Sequence, residues 1–399
     1  MGLKTFKYRL YPKARQERNL LNILACARNF YNMCLAERKW AYRVEGRSVS
    51  HKQLLQMVKH YKATFPQAAA VHSHILQVAA TQCHKAFERF FARVREGTKK
   101  AGYPRFKSAP RFRSFGLKEY GNGWKIDGRK LQISGVGRVS VRWHRQLQGK
   151  PKTLRVIQQA GQWFVAIVCE VGETAALPKT GQMVGVDFGI ASLLTTSDGQ
   201  KIEHPHLYRN AQRRLRILQR SLARKVRGGK NRRKALVRLQ RQHEQIANQR
   251  RDIAYKVSFR LVRAYDLIGM ENLRINNMVR NKRFSKSILD AGWGIFKRHL
   301  TNKAVSAGRG LVFVDPAYTS KTCSSCGALF EHLTLADRWV DCACGLSLDR
   351  DVNAAINVLK RAHPRWVASV SDNAAPLSPP LDGEDKRIRR SEATPLQRL

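Results

Sequence analysis

The chain has 399 residues, and its 75 Lys and Arg against 28 Asp and Glu give a formal net charge of +47. Self-repulsion on this scale disfavours a compact state unless an anionic partner neutralises it, so we expect the partner to be DNA or RNA. Hydrophobic residues make up 43% of the sequence, enough for a folded core, which excludes a wholly disordered basic tail.

The sequence lacks the features of a membrane or secreted protein. No run approaches the roughly 20 apolar residues of a membrane span. The basic N-terminal stretch is not typical of a signal peptide, and eight cysteines in such a chain favour a reduced compartment. We therefore predict a cytoplasmic protein without a membrane partner.

The N-terminal half contains a predicted helical region followed by a region of predicted short strands. Residues 3–10 alternate in the manner of an edge strand, and apolar residues recur at helical spacing over 14–95. From residue 99 to 171 short strands are predicted between glycines, before a linker at 175–180. These predicted strands are 130–133, 138–141, 154–157 and 163–171.

From residue 183 on, the pattern of predicted strands and helices indicates an α/β arrangement with a long helical insertion. A cysteine-rich module at 319–348 precedes the last helix, and the proline-containing residues 363–399 are predicted to be a disordered tail. The predicted strands here are 183–187, 192–196, 266–270 and 311–314, and the predicted helices are 290–307 and 352–361.

The densest positive charge lies at residues 209–251, where sixteen Lys and Arg accompany one acid, Glu244. Leucines at helical spacing on both sides of a Gly-Gly break predict a helical hairpin. Like charges on neighbouring turns would repel, and a phosphate backbone along the helices would relieve that repulsion. A solvated pair of charged helices is the alternative. The candidate nucleic-acid contacts are Arg213, Arg214, Arg220, Arg224 and Lys225.

Two smaller basic segments, 99–107 and 111–113, mix Lys and Arg with Tyr and Phe. Such mixtures suit neutralisation of a phosphate backbone combined with stacking on bases, as in single-strand or RNA binding. A loop whose aromatic rings are simply buried explains the pattern equally well.

Four cysteines form two pairs separated by fifteen residues, a spacing that fits a zinc ribbon. The second pair is C-x-C where C-x-x-C is usual, so Asp341 is an alternative ligand and two loose thiol pairs are the non-metal alternative. The candidate Zn²⁺ ligands are Cys323, Cys326, Cys342 and Cys344. The cysteines expected to be buried small hydrophobes are Cys26, Cys34, Cys83 and Cys169.

Acids stand at the ends of apolar stretches in the α/β part. Asp187 ends a predicted strand and Glu271 directly follows one, while Asp349 and Asp351 start the last helix. Singly, each has a structural explanation such as a turn cap or a helix N-cap. Together, hard oxygen ligands at one sheet edge would select Mg²⁺ or Mn²⁺, and two such ions can hydrolyse a phosphodiester.

The order of these motifs resembles that of TnpB proteins, which are transposon-encoded RNA-guided nucleases related to type V CRISPR effectors. The resemblance rests on G-V-D-F-G-I, I-G-M-E-N-L, the cysteine module and D-R-D-V-N-A-A-I-N. Shorter matching stretches are Y-R-L-Y-P, A-R-N-F-Y-N, G-Y-P-R-F-K and S-I-L-D-A-G-W-G. Together they span about residues 3–361.

The resemblance implies an α/β RNase H-like (RuvC) nuclease domain with a zinc-ribbon insertion, plus an N-terminal β-barrel (wedge) domain interrupted by a helical recognition domain. The implied boundaries are 1–12 and 98–178 for the wedge, 13–97 for the helical domain, 183–316 and 349–362 for the nuclease with its basic hairpin at 207–262, and 317–348 for the zinc module.

The resemblance also implies the site residues. Asp187, Glu271 and Asp351 correspond to the catalytic acids that bind Mg²⁺ or Mn²⁺, with Asp351 preferred over Asp349 because it precedes x-Asn-Ala-Ala. The four cysteines of the module correspond to the structural zinc ligands. Gln77 lies where the helical region of the family reads a short DNA motif beside the target.

The implied function is that of an RNA-guided DNA endonuclease of an insertion element. A guide RNA from the transposon end would pair with one strand of double-stranded DNA, and the protein would read a short target-adjacent motif before two-metal cleavage. We expect a monomer on one RNA, acting at the nucleoid in the cytoplasm of a prokaryote. The alternatives are a nuclease-inactive RNA-guided DNA-binding repressor, an RNA-independent transposase and a non-catalytic zinc-ribbon RNA-binding protein.

Overall fold

A computed structural model describes residues 2–98, 100–172, 175–334 and 336–371. The chain divides into two compact units, the first made of Met1–Thr174 with Gly228–Arg241 and the second of Ala175–Arg227 with Gln242–Leu399. Most of the predicted tail, residues 372–399, lies outside the described residues. Within the described residues no helix is both long and apolar enough to cross a membrane.

The first unit is built on one antiparallel sheet of seven strands. In sheet order they are β2 (Ser114–Leu117), β6 (Lys150–Gln159), β7 (Gln162–Val171), β1 (Gly2–Tyr11), β5 (Gly137–Arg142), β4 (Lys130–Ile133) and β3 (Trp124–Asp127). Within the described residues the outer strands β2 and β3 do not pair with each other, so the sheet is open, whereas the family resemblance implies a β-barrel.

Strand β1 lies in the middle of this sheet, between β7 and β5, so the prediction of an edge strand was wrong. The alternation of residues 3–10 suggested an edge strand. Instead, the cations of Lys7 and Arg9 lie 4.3 and 5.0 Å from the ring centroid of Phe164 on the neighbouring strand. The alternate residues Phe6 and Tyr8 are buried, as period-two alternation requires.

The predicted helical region is confirmed as four helices, α1 (Ala14–Glu45), α2 (His51–Thr64), α3 (Pro66–Ala69) and α4 (Ser73–Arg95). The break after α1 comes from Gly46, which ends the helix in the left-handed conformation at φ 65°. Ser50 and Gln53 then form a capping box that starts α2. All four cysteines expected in the core are buried, namely Cys26, Cys34, Cys83 and Cys169.

The second unit contains a mixed sheet of five strands in the order β10-β9-β8-β11-β12. Strands β8, β11 and β12 run parallel to one another, and β9 pairs antiparallel with both β8 and β10. The strands are β8 (Met183–Asp187), β9 (Ser192–Thr196), β10 (Lys201–Glu203), β11 (Leu267–Glu271) and β12 (Gly310–Val314). The four predicted strands are present, while β10 was missed because its three residues include a single apolar one, Ile202.

From residue 207 on, the described chain also forms six helices, with a small hairpin of two strands in the cysteine module. They are α5 (Leu207–Ala223), α6 (Lys230–Ala264), α7 (Ile275–Met278), α8 (Ser285–Ala291), α9 (Trp293–Ala307) and α10 (Arg350–Ser371), with β13 (Trp339–Asp341) and β14 (Ser347–Asp349). The predicted helix at 290–307 is divided by Gly292, at φ 69°. Helix α10 continues through Pro364 to Ser371, so the start of the predicted tail is helical.

Helix α10 packs on one face of the second sheet through two glycines. Gly185 on β8 and Gly269 on β11 are register partners. A Cβ atom on Gly185 would lie 1.9 Å from the backbone oxygen of Ala355, and one on Gly269 would lie 2.7 Å from the Cβ of Ala362. The opposite face of the sheet packs on α6 and α9. The two glycines therefore allow α10 to approach the strands at backbone distance.

Gly185→Ala should force α10 away from the sheet, because the new methyl group would overlap a backbone atom that no rotamer change can move. We expect the free energy of unfolding to fall by at least the ~1–3 kcal/mol typical of overpacking. The matched control is Gly294→Ala on α9, where a Cβ would meet only the Cδ1 of Ile275 at 3.7 Å. Denaturant unfolding of both variants checks this, and equal stabilities would contradict it.

Candidate functional site

Two neighbouring parallel strands end in carboxylates. The register of β8 and β11 pairs Val186 with Met270, so Asp187 and Glu271 leave the sheet at the same edge. Because side chains alternate along a strand, an acid two residues after a glycine lies on the same face as that glycine. Both acids therefore lie on the face that Gly185 and Gly269 present to α10.

The third acid comes from α10. Asp351 and Ala355 lie one helical turn apart, so Asp351 is on the side of the helix that packs on the sheet. Its side chain is buried, and its Oδ2 lies 3.7 Å from the position that a Cβ on Gly189 would occupy. Gly189 follows Asp187 by two residues. The close packing of α10 thus brings Asp351 to the edge where the two strands end.

The neighbouring acid Asp349 is engaged elsewhere. Its Oδ1 accepts hydrogen bonds from the backbone N–H groups of Asp351 and Val352, at 3.0 and 3.2 Å, and so caps α10. Its Oδ2 accepts a hydrogen bond from Lys201 at 2.5 Å. Burial alone would raise the pKa of Asp349, but Lys201 and the cap bonds hold that pKa below its usual value. These contacts favour Asp351 over Asp349 as a metal ligand.

The pKa values of two of the three acids, Asp187 and Glu271, are raised. Burial, with the neighbouring carboxylates of Glu271 and Asp351, raises the pKa of Asp187 well above its usual value, against the opposing charge of Arg350. Burial also raises the pKa of Glu271, against the Thr319 hydroxyl and Arg361. A divalent cation would relieve this repulsion, and carboxylate oxygens suit Mg²⁺ or Mn²⁺. The residues therefore fit the expected metal.

Three polar residues near these acids were not singled out from the sequence. Thr319 donates a hydrogen bond from its hydroxyl to Glu271, and Asn353 and Asn357 on α10 donate to backbone carbonyls of the segment that carries Thr319. Asparagines four residues apart among the apolar residues 352–359 are a sequence signal that could have revealed the last two.

The cysteine module brings its four sulfurs within 4.8 Å of one another. The shorter C-x-C turn closes through a hydrogen bond from the N–H of Gly345 to the carbonyl of Cys342 at 2.9 Å. Asp341 instead accepts a hydrogen bond from Ser347. A bond from the N–H of Leu346 lowers the pKa of Cys344 to about 6, whereas, against a backbone bond from Cys344, burial and hydrogen bonds with the other cysteines raise the pKa of Cys342 to about 12. The four-cysteine set fits a structural Zn²⁺.

The predicted nucleic-acid contacts near residue 220 are all exposed. Arg213, Arg214 and Arg220 lie on α5, and Arg224 and Lys225 follow at its end. Only Leu215 of this helix is fully buried, so α5 presents most of its surface to solvent. The exposure is compatible with phosphate binding and equally with a solvated helix.

The start of α5 is fixed by the buried Asp290 of α8. Its carboxylate accepts hydrogen bonds from the N–H groups of Tyr208 and Arg209, at 2.8 and 3.2 Å, and from Arg250 of α6 at 2.8 Å. Burial alone would raise the pKa of Asp290, but these three donors hold that pKa below its usual value. Asp290 thus joins the basic helix α5 to the body of its unit.

The residues of the first unit that were predicted to contact nucleic acid differ in how exposed they are. Gln77 is half-buried on α4, and its Oε1 accepts a hydrogen bond from Lys118 at 2.9 Å. Tyr103 and Phe106 are exposed with the Lys39 ammonium 5.2 and 5.1 Å from their ring centroids, whereas Phe112 is buried. Burial therefore explains Phe112, whereas the exposed rings of Tyr103 and Phe106 stay candidates for stacking on bases.

Comparison with known proteins identifies the family. A protein of Streptomyces pristinaespiralis named "Putative RNA-guided DNA endonuclease" is 36% identical over 365 residues, which cover 89% of this chain and 88% of that protein. A protein of Escherichia coli K12 named "Putative RNA-guided DNA endonuclease InsQ" is 30% identical over 381 residues, covering 90% and 92%. The chain belongs to the TnpB family.

Family models match three parts of the chain. Residues 166–282 match the IS605 OrfB family, described as "Probable transposase", and residues 293–358 match the "Cas12f1-like, TNB domain". Residues 1–47 match a "Helix-turn-helix domain". In this structure the described part of that stretch forms strand β1 and the single long helix α1.

Solved structures agree in fold. A cryo-EM structure of a Cas12f1–sgRNA–target DNA complex superposes with a TM-score of 0.58 at 15% identity, covering 90% of this chain and 98% of that one. The fold is thus similar to that of Cas12f1.

The zinc module gives a direct prediction. Purified chain should contain about one zinc, and Cys326→Ser should lose most of it, because a structural site needs four ligands. Cys26→Ala, in the core of the first unit, should keep the wild-type zinc content. Elemental analysis by mass spectrometry provides the measurement. Zinc-free wild type, or undiminished zinc in Cys326→Ser, would refute the four-cysteine site.

Asp290→Ala should destabilise the second unit, because it leaves Arg250 without its buried partner and the start of α5 without its acceptor. Breaking such a buried pair typically costs ~3–5 kcal/mol. The control is Asp252→Ala, whose ion pair with Lys256 is exposed and should contribute less than about 1 kcal/mol. Denaturant unfolding compares them, and similar losses in both variants would contradict the role of Asp290.

Proposed function

We propose that this chain is an RNA-guided DNA endonuclease with a RuvC-like active site formed by Asp187, Glu271 and Asp351. The observation that carries the proposal is the convergence of three acids at one sheet edge in a chain with a net charge of +47. The mixed sheet with helices on both faces supports the RNase H-like fold that the family resemblance implies.

The chemistry follows from the donor set. Mg²⁺ or Mn²⁺ held by these carboxylates would activate a water and stabilise the leaving oxygen of a phosphodiester. Asp187 and Glu271 project from paired strands and so give a rigid pair of ligands, while Asp351 completes the set from α10. Arg350, 3.5 Å from Asp351, would limit the negative charge of the site.

The names of the relatives and the Cas12f1 complex support a guide RNA and double-stranded target DNA as partners. Base pairing with the guide would supply sequence specificity, so the protein needs only backbone contacts and a short motif. We propose α5 and the turn after it as backbone contacts and Gln77 as a reader of the motif. We also propose that one protein binds one RNA. The proposed domain boundaries are those that the family resemblance implies.

The alternative functions differ in what they require. A nuclease-inactive repressor would have no need of the acids, yet all three are retained and lie together. An RNA-independent transposase would use the same metal chemistry but would cut and join transposon ends without a guide. A non-catalytic zinc-ribbon RNA-binding protein would leave the acidic cluster without a purpose.

The test is cleavage by protein purified with its element's RNA, with Mg²⁺ and a plasmid library that contains a matching target. Asp187→Ala should lower the cleavage rate by at least about 100-fold, since even the outer partners of metal ligands contribute 10- to 100-fold. RNA binding should be unchanged. Asp252→Ala, an exposed acid on α6, should cut at the wild-type rate.

Other outcomes would decide against the proposal. Absence of co-purifying RNA, or cleavage that does not need it, would contradict a guided nuclease. Joining at transposon ends would support a transposase, and guided binding without cutting would support a repressor. Cutting that survives Asp187→Ala would show that the active site lies elsewhere.

A further inference from the structure

A buried hydroxyl contacts one of the three acids. The Oγ1 of Thr319 donates a hydrogen bond to Oε1 of Glu271 at 2.5 Å, and both residues are buried, with relative exposures of 4% and 6%. Thr319 lies in the loop that leads from β12 into the cysteine module. It is neither one of the acids nor one of the cysteines, so the metal sites proposed above do not explain it.

The hydroxyl has a choice of acceptors. The carbonyl of Pro316 lies 3.1 Å from Oγ1, and the Glu271 carboxylate is closer. A hydroxyl has one proton, and a hydrogen bond to an ionised acceptor is about twice as strong as a neutral one. When Glu271 is ionised, as a metal ligand must be, the proton is therefore directed to its carboxylate.

Thr319 is itself held in place by α10. We define the root segment as Thr319–Ser324, the stretch that enters the cysteine module. The side-chain amide of Asn357 donates to the carbonyls of Thr319 and Thr322, at 2.9 and 2.6 Å. That of Asn353 donates to Thr322 at 2.8 Å and accepts from the N–H of Ser324 at 2.8 Å.

These contacts connect the root segment to two of the proposed metal ligands, Asp351 and Glu271. The helix that carries Asp351 fixes the backbone of Thr319, and Thr319 in turn fixes the carboxylate of Glu271. Because one oxygen of Glu271 is engaged by the hydroxyl, rotation of the carboxyl group is restricted and Oε2 is left for a metal. A partner of this kind orients a ligand and raises metal affinity.

We propose that Thr319 is a positioning residue that orients Glu271 for metal binding, with Asn357 as its support. The inference rests on the proposed function, because it takes the three acids to be the metal ligands of the nuclease. It assigns a role to a residue of the cysteine module that is separate from the binding of zinc.

The experiment compares Thr319→Val, which keeps the shape and removes the hydroxyl, with Thr319→Ser, which restores it. The matched control is Thr301→Val on α9, whose hydroxyl donates to the carbonyl of Lys297 within its own helix. Each full-length chain is purified with its RNA and titrated with Mn²⁺ by electron paramagnetic resonance. The same complex carrying Asp187→Ala gives the background from ions bound to RNA. Cleavage of the matching target is then measured against Mg²⁺ concentration.

Thr319→Val should raise the half-saturating Mn²⁺ concentration about 10- to 100-fold, the range typical for outer partners of metal ligands. The Mg²⁺ concentration for half-maximal cleavage should rise in parallel, with a smaller change in the rate at saturating Mg²⁺. Thr319→Ser and Thr301→Val should both behave as wild type. Rescue by serine would show that the defect of Thr319→Val comes from loss of the hydroxyl and not from altered packing.

Wild-type Mn²⁺ affinity in Thr319→Val would overturn the positioning role. So would equal loss in Thr319→Ser and Thr319→Val, since the defect would then come from packing. If the wild type binds Mn²⁺ through Asp187 but does not cut a guided target, the proposed function fails while the Mn²⁺ titration still decides the role of Thr319.

Discussion

The contact on which the second unit depends is the approach of α10 to β8 and β11. Gly185 and Gly269 are partners in the sheet register; Gly185 leaves room for the helix backbone at Ala355, and Gly269 leaves room for the Cβ of Ala362. The acid two residues beyond each glycine lies on the same face. The same contact that packs the helix therefore sets the distance from Asp351 to Asp187 and Glu271, so that stability and chemistry depend on one interface.

The acids that lie away from solvent have two kinds of surroundings. The chain has 28 acids against 75 basic residues, and the buried acids of the described residues are either paired with a base, as Asp290 is, or clustered with other carboxylates, as Glu271 and Asp351 are. Asp266 and Asp290 each accept several hydrogen bonds, including one from a buried or half-buried arginine, Arg309 or Arg250. The cluster around Asp187 instead combines like charges with few donors, which is the arrangement expected of a cation site and costly without a cation.

Much of this organisation could be predicted from the sequence, because strand alternation, helical spacing and cysteine spacing are local signals. Strands β8 and β9 were predicted to the residue. The open sheet, the central position of β1 and the continuation of α10 past Pro364 depend on contacts between distant segments, which periodicity does not record. The same holds for Thr319, whose partner Glu271 is 48 positions away. The glycine before each acid was visible in the sequence, but its meaning required the register of two strands.

The central claim is that the three acids form one metal site. Anomalous diffraction from crystals of the protein–RNA–target complex grown with Mn²⁺ tests it most directly, since the signal locates the ion without any assumption about activity. The account predicts a peak in contact with the carboxylates of Asp187, Glu271 and Asp351, with Asp349 still bound to Lys201. A peak at Asp349 in place of Asp351, or Mn²⁺ found only on the RNA, would contradict it.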